Sequence, residues 1–189
     1  YLPSVTLTSM EDGFPGASRN VLFNLVGSTT PLHLSLDGTD GNDIIRSGIG
    51  NDTLYGADGN DTISTFAGDD LVLGGSEDDI LDGGEGKDNI FGGAGDDFIF
   101  FDAQDLDFNG GSGFDTARYQ QVGDQRGLVI DMGTREIEVL ITGNKADRVI
   151  ASGEGPLLVS TGGGSDHITF QNGRGAPTIV IGGSGADTY

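Results

Sequence analysis

Aspartate recurs at intervals of nine residues through much of the first two-thirds of this 189-residue chain. Seven consecutive nine-residue blocks, starting at Gly38, carry Asp at their sixth position. Carboxylates transfer protons or bind hard cations, and calcium takes about six to eight oxygen ligands. Many equivalent carboxylates at a fixed period favour a repeated binding site over a single catalytic pair. The series consists of Asp43, Asp52, Asp61, Asp70, Asp79, Asp88 and Asp97, and it resumes after one lapse at Asp115.

The overall composition agrees with cations as ligands. Asp and Glu number 30 against 9 Lys and Arg, which gives a formal net charge of -21. This charge argues against nucleic acid and anionic membrane surfaces, because both attract basic proteins. Acidic chains are often disordered, but here the acids are periodic and apolar residues recur among them. The chain has no cysteine, so a secreted domain of this size needs another stabilising element, and a bound metal would serve.

The other positions of the block predict a six-residue turn followed by a three-residue strand. Glycine, with 35 copies in the chain, recurs at the first, second and fourth positions, where it permits positive φ and inward-facing carbonyls. Asn or Asp at the fifth position tolerates the left-handed conformation. The eighth position is apolar and should point inward, while its two neighbours point outward. The inward residues are Ile45, Leu54, Ile63, Val72, Leu81, Ile90, Ile99, Phe108 and Ala117.

The blocks resemble the calcium-binding repeat G-G-x-G-x-D-x-U-x of the repeats-in-toxin (RTX), or haemolysin-type, family. The seven blocks read GTDGNDIIR, SGIGNDTLY, GADGNDTIS, TFAGDDLVL, GGSEDDILD, GGEGKDNIF and GGAGDDFIF. The resemblance implies an all-β, right-handed parallel β-roll, a form of β-helix or solenoid, with irregular β cap segments. Successive turns would alternate between two edges. One edge would carry Asp43, Asp61, Asp79 and Asp97, and the other Asp52, Asp70 and Asp88.

In the family, calcium ions lie between adjacent turns of one edge, held by two Asp side chains and by turn carbonyls. The resemblance therefore implies about five ions here, with a sixth if the coil geometry continues to Asp115. Asp166 and Asp187 lie in degraded blocks and are further candidate ligands, while Asp147 fits the pattern less well. The expected carbonyl donors are Gly38, Gly41, Gly48, Gly50, Gly56, Gly59, Gly74, Gly83, Gly86, Gly92 and Gly95.

Three blocks depart from the pattern. Thr65-Phe66-Ala67 replaces the opening glycines of one block, and Glu77 stands where another block should have its fourth-position glycine. Side chains at these positions demand a less favourable backbone, although Glu77 could instead add a ligand. In the eighth block Leu106 occupies the aspartate position.

The repeat suggests four segments. Residues 1–36 contain strand-like patterns and form a cap or linker, and residues 37–118 form the regular roll. Residues 119–146 contain two longer apolar runs, Gly127–Met132 and Glu136–Ile141, which we interpret as an irregular strand pair or insertion. Residues 147–189 carry degraded repeats, and the sequence stops inside a block.

Catalysis by this segment is not expected. His167 follows Ser165 and Asp166, but a catalytic triad depends on folded geometry rather than adjacency, and the repeat register puts His167 on the outside of a strand. His33 lies in an alternating strand and should face solvent. Zinc is disfavoured without Cys or clustered His, and the glycine-rich strings lack the βαβ context of a dinucleotide site.

The leading hypothesis is a calcium-binding module of a larger secreted bacterial protein, folding on calcium after type I secretion, as the resemblance implies. The alternatives are a calcium-rigidified stalk segment of a surface adhesin, or an accessory domain of a secreted hydrolase, lyase or epimerase. Expected partners are calcium ions and the rest of the parent chain, with no nucleic acid, no membrane insertion and a monomeric state. Tyr1-Leu2-Pro3 opens no basic or apolar leader, so no secretory signal is predicted, and the chain is interpreted as a fragment.

Overall fold

The repeat builds a parallel β-solenoid of about eight turns. The structure is a computed structural model, and it describes residues 7–10, 20–24, 31–105, 107–120, 127–133, 135–152, 157–171 and 178–189. Within these ranges every regular element is a strand, as the nine-residue pattern predicted. No helix in them is long and apolar enough to span a bilayer.

One long sheet runs the length of the solenoid. Its first two strands pair antiparallel, and every later neighbour pairs parallel. The ten strands in spatial order are β1 (Leu7–Met10), β2 (Asn20–Asn24), β4 (Ile44–Arg46), β6 (Thr62–Ser64), β8 (Ile80–Asp82), β10 (Phe98–Phe101), β12 (Thr116–Tyr119), β14 (Val139–Ile141), β16 (Leu157–Ser160) and β18 (Thr178–Ile181).

The alternate strands form the opposite side of the solenoid in two parallel sheets. The first contains β3 (Ser35–Asp37), β5 (Thr53–Asp58), β7 (Leu71–Ser76), β9 (Asn89–Ala94) and β11 (Asp107–Ser112). The second contains β13 (Val129–Asp131), β15 (Arg148–Ala151) and β17 (His167–Phe170). A complete coil therefore spans two blocks, and β5 and β7 pair in register with Leu54 opposite Val72.

The core is a column of eighth-position side chains, as predicted. All nine inward residues from Ile45 to Ala117 are at most 2% exposed, because alternation in each short strand turns one side chain inward. Leu140, Val149, Val159 and Ile168 continue the column into the C-terminal coils.

The two apolar runs between residues 127 and 141 each contain a strand, and these two strands do not pair with each other. β13 pairs with β15, whereas β14 lies between β12 and β16 in the long sheet. Both strands are also shorter than the apolar runs, with three residues each. They pair across coils because each buries its central apolar residue in the same column as the regular repeats.

Candidate metal centre

Aspartate side chains tie each coil to the next along both edges of the solenoid. In each pair, Oδ1 of one Asp accepts a hydrogen bond from the backbone N–H of the Asp one coil earlier, at 2.6–2.9 Å in the regular repeats. One row contains Asp43, Asp61, Asp79, Asp97 and Asp115, and the other contains Asp52, Asp70 and Asp88. The two rows are those that the alternation of turns implied.

Both rows extend further than the sequence indicated. Oδ1 of Asp105 accepts from the N–H of Asp88 at 2.8 Å, so Asp105 continues the second row one position ahead of its expected place. Leu106, which occupies the aspartate position of the repeat, lies outside the described residues. Glu138 extends the first row, since its Oε2 accepts from the N–H of Asp115 at 2.8 Å. Sequence reasoning missed Asp105 and Glu138 because each departs from the nine-residue register.

The C-terminal aspartates form the same ladder at longer spacing. The N–H of Leu128 bonds to Asp147, the N–H of Asp147 to Asp166, and the N–H of Asp166 to Asp187, at 2.8–3.1 Å. The separations are 19 residues for the first two links and 21 for the third, against 18 in regular coils.

The second carboxylate oxygen of most ladder aspartates is buried and has no hydrogen-bond partner. A buried acceptor without a donor is unfavourable, so such an oxygen points to a missing ligand. These oxygens are Oδ2 of Asp52, Asp61, Asp70, Asp79, Asp88, Asp97, Asp115 and Asp166. Asp43 differs, because its Oδ2 accepts from the backbone N–H of Thr39 at 2.6 Å.

Glycine at the first position of a turn leaves space beside these oxygens. A Cβ atom at Gly74 would overlap Oδ2 of Asp79 and would lie 2.6 Å from the carbonyl oxygen of Gly92. A carboxylate oxygen and a carbonyl oxygen of the next coil thus face one space that only glycine keeps open. The arrangement repeats at Gly56 and Gly92.

Burial raises the pKa of the ladder carboxylates. For Asp88 burial is the main cause and the charge of Asp105 adds to it, while the hydrogen bond from the N–H of Asp70 opposes it. The pKa is raised to about 6 for Asp61, Asp70, Asp97, Asp105 and Asp115, to about 7 for Asp79 and to about 8 for Asp88. A cation would favour the charged form and offset this burial.

Of the predicted glycine donors, Gly56, Gly74 and Gly92 lie within strands β5, β7 and β9, and the others lie in the connections between strands. Their role as ligands stays a prediction. Gly50, Gly59, Gly86 and Gly95, at the fourth position, have φ between 111° and 147°, a region that favours glycine. Glu77 adopts φ 71° at its fourth position, and its carboxylate accepts a hydrogen bond from the N–H of Gly59 at 2.8 Å. Phe66 has φ 74°, so the departures from the repeat carry the expected backbone strain.

No three side chains of His, Cys, Asp or Glu group as a metal site within the part of the chain that the structure describes. A cation between two coils would therefore need backbone carbonyls beside the carboxylates, which suits calcium. His33 and His167 are exposed, as predicted; His167 contacts the hydroxyls of Thr188 and Thr169 rather than a carboxylate.

The unpartnered oxygens, the glycine-lined spaces and the all-oxygen donor set fit calcium. A comparison with known families agrees: residues 35–63 and 64–99 match the RTX calcium-binding nonapeptide repeat, in four copies. No curated protein and no solved structure gives a significant match. Residues 35–99 thus belong to the haemolysin-type family of RTX calcium-binding repeats.

Proposed function

We propose that this chain is a calcium-dependent folding module of a larger secreted protein and has no catalytic role of its own. The observation that carries the proposal is the repeated, buried and unpartnered Oδ2 atom of the ladder aspartates. For Asp61, Asp79 and Asp97 this oxygen lies beside a carbonyl oxygen of the next glycine turn, so a cation between the coils would meet both.

The ligands we assign are the aspartates of both rows together with Asp166 and Asp187, and carbonyl oxygens of the turns. Calcium supplies positive charge that neutralises the rows when it is bound. The aspartates hold it and fix the spacing of adjacent coils, since their Oδ1 atoms already bond to the coil before. We expect about five or six ions in the regular roll.

Electrostatics makes the fold depend on the ion. Two carboxylates about 4 Å apart repel by about 4 kcal/mol at an effective dielectric constant of about 20. Several such contacts outweigh the roughly 5–15 kcal/mol stability of an ordinary domain. Calcium binding therefore becomes folding free energy, as for other structural metals.

This dependence suits export from the cell. Extracellular calcium modules bind with dissociation constants of about 10⁻⁴–10⁻³ M, well above the free calcium of the cytosol. The chain would stay unfolded during type I secretion and fold outside, at the cell surface or in the medium. Its partners would be calcium ions and the remainder of the parent chain.

A circular-dichroism titration tests the proposal. In calcium-free buffer the chain should lack strand signal, and millimolar calcium should restore it with a sharp loss of hydrodynamic radius. Magnesium at the same ionic strength is the matched control, because it prefers stricter octahedral geometry and retains its water. Full strand signal in calcium-free buffer at pH 7.5 would refute the proposal.

A further inference from the structure

The two edges of the solenoid differ at the first position of their turns. We call the edge that carries Asp61, Asp79, Asp97 and Asp115 the glycine edge, since its first positions are Gly56, Gly74, Gly92 and Gly110. We call the edge of Asp52, Asp70, Asp147 and Asp166 the hydroxyl edge. Its corresponding first positions are Ser47, Thr65, Thr142 and Thr161.

The four hydroxyl side chains are buried and make one repeated contact. Each hydroxyl donates to the carbonyl oxygen of the first-position residue one coil later. The bonds run from Ser47 to Thr65, from Thr65 to Gly83, from Thr142 to Thr161 and from Thr161 to Gly182, at 2.5–3.3 Å. On the glycine edge the corresponding carbonyl, such as that of Gly92, faces the open space beside Asp79.

Thr142 makes a second contact, with the aspartate of its own turn. Its hydroxyl also lies within hydrogen-bond distance of Oδ2 of Asp147, so its single proton is shared between this oxygen and the carbonyl of Thr161, and Asp147 also accepts from the N–H of Gly143. Asp166, one coil later, keeps an unpartnered Oδ2. The hydroxyl of Thr142 therefore lies between a carboxylate oxygen and a carbonyl oxygen of the next coil, as a cation between the coils would.

We propose that first-position hydroxyls replace calcium between coils, fully at Asp147 through Thr142 and in part along the rest of the hydroxyl edge. Calcium then binds the glycine edge first and most tightly. The inference rests on the proposed calcium function. Its physical reason is that the hydroxyl proton occupies a carbonyl oxygen, and the added Cβ fills space that glycine leaves for an ion. Gly83 interrupts the hydroxyl edge, so the Asp88 turn should bind as the glycine edge does.

Native mass spectrometry at saturating calcium, which counts ions on the folded chain, tests the proposal directly. Thr142→Gly should hold one more calcium ion than the unmodified chain. Thr142→Ser, which keeps the hydroxyl, should hold the same number. An unchanged count for Thr142→Gly would overturn the proposal, and a lower count would show that the hydroxyl is itself a calcium ligand.

The reverse exchange uses the glycine edge. Gly74→Ser copies Ser47 and should lose one ion while keeping its strand signal in calcium. Gly74→Ala fills the same space without a hydroxyl, so it should lose the ion and also unfold at lower temperature than Gly74→Ser. An ion count for Gly74→Ser equal to that of the unmodified chain would contradict the proposal.

These experiments distinguish the proposed calcium function from the proposed replacement of calcium by hydroxyls. An unmodified chain that binds no calcium refutes the proposed function, whereas binding with unaltered counts in Thr142→Gly and Gly74→Ser refutes only the hydroxyl replacement. If Thr142→Gly does not fold, Thr65→Gly decides in its place, because it restores the glycine of the repeat. Its calcium midpoint should fall below that of the unmodified chain, and an equal or higher midpoint would overturn the proposal.

Discussion

The regular coils, residues 38–119, and the C-terminal coils, residues 127–189, share one long sheet and one core column but differ in their turns. Regular coils repeat every 18 residues, and their ladder runs from one Asp to the next. The link from Asp115 to Glu138 spans 23 residues, and later links span 19 and 21. The comparison teaches that the solenoid tolerates longer coils as long as a carboxylate and an inward apolar residue return to their places. Among the described residues, seven of the eight ladder aspartates whose buried Oδ2 lacks a partner lie in the regular coils, and the eighth is Asp166.

The largest expected effect concerns pH in calcium-free buffer. The folded-state pKa of Asp79 is raised to about 7 and that of Asp88 to about 8, above the unfolded value. A raised folded pKa contributes stability at low pH that is lost as pH rises through it. The ion-free roll should therefore gain strand signal as pH falls from about 8 toward 4, and circular dichroism should detect it. No gain across this range would contradict the burial of these carboxylates.

The second effect contrasts an aspartate from each region. Asp79→Asn removes one of the carboxylate charges that bind the ion between two coils. It should lower the free energy of unfolding in calcium by about 3–5 kcal/mol. Asp147→Asn keeps an acceptor for the N–H of Leu128, so it should cost only about 1 kcal/mol.

Urea unfolding at saturating calcium measures the free energy of unfolding of both variants. In a calcium titration, Asp147→Asn should hardly change the calcium concentration at the midpoint of folding, whereas Asp79→Asn should raise it. Equal shifts in the two variants would mean that the turns of both regions bind calcium alike.

A third effect lies at the junction of the regions. The guanidinium of Arg135 lies 4.4 Å from the ring centroid of Phe108 and donates to the carbonyl of that residue at 3.0 Å. Phe101 stacks on the same ring at 4.3 Å. Arg135→Ala should cost about 1–2 kcal/mol through loss of the cation–π contact and the hydrogen bond. Arg135→Lys is the control. In calcium, its thermal unfolding temperature should lie between that of the unmodified chain and that of Arg135→Ala.

The smallest effect concerns the strained turn at Glu77. Glu77→Gly relieves a positive φ, worth about 1–2 kcal/mol, but it removes the acceptor for the N–H of Gly59, worth about 1 kcal/mol. The variant should change stability in calcium by less than about 1 kcal/mol. Loss of a bound ion in the same variant, counted by native mass spectrometry, would identify Glu77 as a calcium ligand.

The sequence alone determined the repeat and the inward column. These follow from local rules that recur in every block: strand alternation points one side chain of three inward, and glycine permits the turn. The two aspartate rows were implied by the resemblance to the RTX family, in which successive turns alternate between two edges. Tertiary structure decided where those rules met an irregular coil. Asp105 lies one position ahead of its register, Glu138 ends the first row, and β14 joins the long sheet rather than β13. The difference between the edges also needed the fold, because the hydroxyls of Thr65 and Thr142 meet carbonyls a full coil away in the chain. Contacts between coils depend on how many residues each coil contains, and no single block encodes that number.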